Sequence, residues 1–176
     1  TLTNPTEAAR RLFALKPGRE VLWLAFSLAV VLNGLVQVGI DQIVPVPAGE
    51  PIPPSSPVFL NLLRAAGAML FSLAAFLFVG RLLGGTATFD DILILTIWLQ
   101  FLRIAALLIT LVVSVALPFL MLMFLLATAI LSFYVTLHFL NEAHKFGSLW
   151  KSFGVILLSA LAAVPFVLAL MPNAPV

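Results

Sequence analysis

Tyr134, His138 and Asn141 recur at spacings of four and three, and Glu142, His144 and Lys145 follow directly. On a helix, residues four apart share a face, so His138 and Glu142 would stand together, with His144 two residues further on. Imidazole nitrogen and carboxylate oxygen are the donors a zinc-type site uses. Two histidines and one carboxylate with no further donor fall short of such a site, and hydrogen bonding at a membrane boundary accounts for them more simply. No metal and no cofactor is expected. The chain has no cysteine, which removes disulfides, thiolate ligands and thiol nucleophiles. It also lacks a P-loop, a Gly-x-Ser-x-Gly elbow and an HExxH pair, so no catalytic residue is expected and the chain reads as a non-enzyme.

A second constellation is Thr96, Gln100, Arg103 and Thr110, whose spacings of four, three and seven draw one polar stripe along a helix. Such a stripe should face other helices or water and not lipid. Arg103 and Gln100 fit two roles: part of a polar cavity for an anionic headgroup or small anion, or a structural arginine bonded to carbonyls and polar side chains of neighbouring helices. A third group is Asn33, Gln37 and Asp41, four residues apart, with Arg64 further along. Arg64 is expected either to meet Asp41 and fix two helices, or simply to reach the headgroups. Asp90 and Asp91 open a helix after a glycine turn, where they complement its dipole and cap it.

The elements that must carry these groups are set by one long apolar run. Between Ile92 and Phe139, Gln100, Arg103 and finally His138 are the strongly polar residues. As one helix this run would be roughly 70 Å long, about twice the ~30 Å hydrocarbon core of a bilayer. It must cross twice, with the break at Ser114 to Pro118, because Pro118 lacks an N–H and suits the first turn of a new helix. With 62% apolar and 9% charged residues among 176, the chain holds more apolar surface than a soluble domain can bury. A net charge of +2 gives no basis for nucleic-acid binding.

The fold class expected is all-α, a polytopic membrane bundle forming a single domain over 1–176, with five spans at about 21–40, 58–83, 92–113, 118–139 and 153–171. The first is too long for, and lacks the cleavage site of, a removable signal peptide. Of nine Lys and Arg, Arg10, Arg11, Lys16, Arg19, Arg81, Lys145 and Lys151 fall on one side of this topology and none in the connections of the other. Short basic connections stay cytoplasmic, which places the N-terminus in the cytoplasm and the C-terminus outside or in the lumen. The remaining two, Arg64 and Arg103, lie within spans.

Ahead of the first span, Asn4-Pro5-Thr6-Glu7 reads as a helix start. Ala8, Leu12 and Phe13 would face one way while Arg10, Arg11 and Lys16 reach anionic headgroups, giving an interfacial helix, or else a merely solvated segment. The external loop over 41–57 carries Pro45, Pro47, Pro51, Pro53, Pro54 and Pro57, a density that favours an extended strap. Gly80 and Gly84 form a small-xxx-small pair for helix packing, and Ala65, Ala66, Gly67 and Ala68 a smooth patch. Trp23, Trp98 and Trp150 are placed as interface anchors.

The chain resembles the Yip family, small five-span membrane proteins named for binding Ypt/Rab-type GTPases. The resemblance rests on Phe13 to Glu20 (FALKPGRE), on Gly84-Gly85-Thr86-Ala87-Thr88-Phe89 ahead of the third span, and on Trp150-Lys151-Ser152-Phe153 leading into the last. It implies the five-span fold and allows a GTPase partner. Only about twenty residues precede the first span here, whereas eukaryotic members carry a longer hydrophilic segment, so the compact form is more like the prokaryotic relatives. The implied location is the bacterial inner membrane, or an endomembrane in a eukaryote.

No Asp or Glu lies deep in any span, where proton- or cation-coupled transporters keep their relay groups. The expected function is therefore that of a scaffold, accessory subunit or membrane-organising component, partnered by the lipid bilayer and by another membrane protein or a second copy. The alternative is a small-solute or lipid-handling transporter formed by oligomerisation around the third-span stripe. Arg103→Leu is expected to reduce assembly more than it raises any transport rate. Unchanged accumulation, oligomeric state and detergent stability in that variant would remove Arg103 from this account.

Overall fold

The computed structural model describes residues 3–43, 57–116 and 121–170. Among them are six helices and no strand: α1 (Pro5–Ala14), α2 (Arg19–Ile43), α3 (Val58–Leu82), α4 (Phe89–Ala116), α5 (Met121–His144) and α6 (Leu149–Leu170). Four helices, α2 to α5, are long and apolar enough to cross a membrane, and the described apolar part of α6, Leu149–Pro165, is shorter. α2 runs to Ile43, into the loop expected over 41–57; residues 44–56 of the proline strap and the expected break at Pro118 fall outside the described residues.

The helices begin and end where local chemistry satisfies their free backbone groups. Asn4 caps α1 by accepting a hydrogen bond from the Glu7 amide (3.2 Å), with Pro5 in the first turn. At α4 the cap is Thr88: its hydroxyl accepts from the Asp91 amide (3.2 Å), while an Asp91 carboxylate oxygen accepts from the Thr88 amide (3.0 Å) and hydroxyl (2.7 Å). This is a capping box with aspartate in place of glutamate. α3 ends in a Schellman motif, in which Gly84 takes φ +86° and the amides of Gly84 and Gly85 donate to the carbonyls of Arg81 (3.0 Å) and Gly80 (2.8 Å). α5 ends the same way, with Lys145 at φ +54° and the amides of Lys145 and Phe146 donating to Glu142 (3.4 Å) and Asn141 (3.2 Å). That places the end of α5 beyond the Phe139 expected for its span, because Asn141, Glu142 and His144 each have a partner that carries the helix on.

The chain divides into two compact units, residues 1–16, 71–95 and 134–176, and residues 17–70 and 96–133. In the first, Ile92, Leu93, Ile94 and Leu95 are all buried, so the start of α4 is enclosed on every side. Phe139, Leu140, Ala143 and Val155 complete this core. The buried positions of α6 are Ser152, Val155 and Ser159, small residues on one face that permit close packing. Pro165 lies inside α6 and frees one carbonyl a turn earlier, a feature membrane helices tolerate. In the second unit Leu22, Phe26, Ala29, Val30, Met69, Ile97 and Ile104 are buried. A Cβ at Gly34 would strike the Leu62 side chain, which identifies Gly34 as the place where α2 and α3 approach.

Two turns of identical geometry thus use different residues, Gly84 without a Cβ and Lys145 with one. Gly84→Ala is expected to cost about 1 kcal/mol, since only the left-handed backbone is at stake there. Lys145→Gly should lose no stability. Thermal unfolding midpoints in a gentle detergent check both, and a Gly84→Ala protein as stable as its parent would contradict the assignment.

Candidate functional site

His144 is a buried polar side chain at the end of α5, at 1% exposure. Its Nε2 lies 3.1 Å from the Phe76 carbonyl on α3. A carbonyl only accepts, so Nε2 carries the proton and Nδ1 of the neutral ring is left as an acceptor. Nδ1 is buried and has no hydrogen-bond partner among the described residues. The ring sits where Gly80 and Gly85 lack side chains, because a Cβ at either would overlap it. The His144 carbonyl, unpaired at the end of α5, accepts from the Thr86 amide (3.1 Å) and hydroxyl (3.4 Å) in the α3–α4 turn. Phe146 stacks on the imidazole at 5.0 Å and 14°, and Lys151 Nζ lies 5.8 Å from the Phe146 ring centre. The Ser148 amide donates to the Asn141 side chain (3.1 Å) and fixes the approach to α6.

The same end of α5 receives α1. Thr6 Oγ1 shares a hydrogen bond with His138 Nδ1 (3.0 Å), Arg10 Nε donates to Glu142 (2.8 Å), and Phe13 meets Phe139 edge-on at 6.4 Å. The hydrogen bond to Glu142, and then that carboxylate's charge, hold the Arg10 pKa above its ordinary value. The buried positions of α1 are Pro5 and Ala9, with Ala8, Leu12 and Phe13 half-buried. The expected lipid-facing surface is thus partly turned onto α5. Arg10 reaches a carboxylate rather than a headgroup, and Arg11 pairs with Glu7 (2.9 Å) within its own helix.

His138, Glu142 and His144 therefore hold three different partners. Among the described residues no group of three His, Cys, Asp or Glu is placed to hold a metal ion. The α4 stripe is divided by its surroundings: Thr96 and Gln100 are buried, Arg103 is exposed, and half-buried Thr110 donates to the Ala106 carbonyl one turn back (2.8 Å). Arg64 is exposed on α3, and the side chain of Asp41 lies outside the described residues. Gly80 receives an imidazole, and Gly84 serves the turn, with nothing within 4 Å of a Cβ there. Gly67 likewise faces open space. Trp150 is 82% exposed, whereas the Trp98 indole N–H is buried without a partner among the described residues, unlike an anchor at a wet interface.

Sequence reasoning meets Gly85 and Thr86 only as part of a resemblance motif and passes over Phe146 and the Phe76 carbonyl. The available signal is the Gly80…Gly84-Gly85 spacing, but nothing in it names the distant histidine that fills the gap. Gly80→Ala is expected to destabilise the protein by about 1–3 kcal/mol through overpacking. Adding His144→Ala should recover part of that loss, because the two changes share one contact. Unfolding midpoints of both single variants and the double variant measure the coupling, and strictly additive losses would show that ring and glycine do not meet.

A model of the Yip1 domain matches residues 1–171. No curated protein and no solved structure matches the chain. An all-α chain with four membrane-length apolar helices, matched over nearly its whole length, belongs to the Yip family.

Proposed function

We propose that this chain is a non-enzymatic integral membrane component that works by assembly, as a scaffold, accessory subunit or membrane-organising element, and that it acts as one membrane domain. The observation that carries the reading is the division of its chemistry. The polar groups at the end of α5 are committed to partners on α1 and α3, whereas the outward residues of the membrane-length helices are mostly apolar, with Leu122, Met123, Phe124, Leu125 and Leu126 in succession exposed on α5. Exposed apolar residues all around a helix suit lipid and other helices, and leave helix contact as the available mode of recognition.

The topology we propose has five spans, α6 being the last, with the N-terminus cytoplasmic and the C-terminus outside or in the lumen. The distribution of Lys and Arg supports it. The membrane we propose is a bacterial inner membrane, or an endomembrane in a eukaryote. A GTPase partner rests on family resemblance alone. A transporter formed by oligomerisation around α4 is the second reading, and the exposure of Arg103 is the observation in its favour.

Because the chain has no cysteine, Thr3→Cys and Ala174→Cys supply single thiols. On intact cells a membrane-impermeant maleimide should label position 174 and spare position 3. Labelling of both, or of neither until lysis, would exclude five spans. Native mass spectrometry from lipid nanodiscs should show a species heavier than the single chain. A bare monomer that carries solute into proteoliposomes would replace assembly with transport.

A further inference from the structure

Arg103 stands at the middle of the 28-residue α4, about 20 Å from either end at 1.5 Å per residue. It is exposed, and among the described residues it makes no hydrogen bond or ion pair. Its neighbours one turn further on, Ala106 and Leu107, are half-buried, and the first of them is small. A guanidinium with five N–H donors does not remain in hydrocarbon without an acceptor. Headgroups lie about 15 Å from the centre of a ~30 Å core, farther than an arginine side chain extends.

A second copy of the chain offers no matching charge. Its seven acidic residues, Glu7, Glu20, Asp41, Glu50, Asp90, Asp91 and Glu142, lie at or beyond the ends of the helices that would span. Gln100 and Thr96, the polar neighbours on α4, are buried against their own chain. We infer that Arg103 is the docking point for a different membrane protein, one that carries an Asp or Glu at mid-bilayer depth in a transmembrane helix. Charge complementarity selects this partner: a carboxylate matches the guanidinium in a two-point contact, and the low dielectric of the core strengthens the pair. The inference rests on the assembly reading and gives that assembly its chemistry.

The test uses the full chain with a fluorophore on Thr3→Cys, reconstituted in zwitterionic lipid vesicles with synthetic single-span polyleucine peptides. One peptide has a central aspartate, a second a central asparagine, and a third an aspartate near its end. Energy transfer should show the central-aspartate peptide associating at least about tenfold more tightly than the other two. Arg103→Lys should keep the preference and Arg103→Leu should abolish it. Equal association of all three peptides, or a preference that survives Arg103→Leu, would overturn the inference. So would Arg103-dependent self-association of the chain without peptide, which would make the partner a second copy. Recovery of a lone monomer from native membranes would instead count against the assembly reading, which the peptide preference does not measure.

Discussion

The contact on which one end of the fold depends is the burial of the His144 ring between two glycines and a carbonyl. A helix that ends near a membrane boundary must find acceptors and donors for its last turn. α5 does so by lending its final carbonyl to Thr86, while its final side chain donates to Phe76. One residue thus fixes α5 against α3 and against the turn leading into α4. The Schellman geometry at Gly84 sends the chain back across Gly80, which brings Gly85 to the other side of the ring. Removing either glycine's freedom displaces the imidazole, and the imidazole in turn is what allows the turn to close so tightly.

Against that fixed end, α1 is held by contacts of a different kind. A helix of 10 residues is too short to persist alone in water. The Arg10–Glu142 pair is solvent-exposed on the arginine side (63%), and such pairs contribute little stability. Burial of Pro5 and Ala9 and the Phe13–Phe139 contact supply the adhesion, while Thr6 and Arg10 set the register against His138 and Glu142. Those two α5 residues are four apart, as are their α1 partners, so matching helical periods explain why both pairs form together.

Much of this architecture is legible in the sequence, because length and polarity are one-dimensional properties. The apolar runs locate α2 to α5, Asn4-Pro5 locates the start of α1, and Thr88 with Asp91 locates the start of α4 once the capping rule is applied to threonine rather than to the aspartates. What the sequence hides is set by contacts between distant segments. Gly80 and Gly84 have the spacing of a packing pair, yet one accommodates a side chain from α5 and the other a left-handed backbone. Gly34, which lies against Leu62, carries no spacing signal at all. His138, Glu142 and His144 resemble a donor set on paper because helical spacing shows which residues share a face and not which helix that face meets.

The α4 stripe shows the same limit in energetic terms. Fifteen Leu, Ile, Val and Phe residues over 92–113, at about 0.3–0.6 kcal/mol each, outweigh the roughly 2.5–3.5 kcal/mol that a central arginine costs on insertion. Insertion therefore neither requires nor forbids Arg103, and periodicity groups it with Thr96 and Gln100 within one narrow arc. Burial separates them, because Thr96 and Gln100 are covered by their own chain while Arg103 is exposed. An exposed polar residue at that depth depends on whatever lies alongside, so identical spacing on one helix yields a buried residue at Gln100 and an outward-facing one at Arg103.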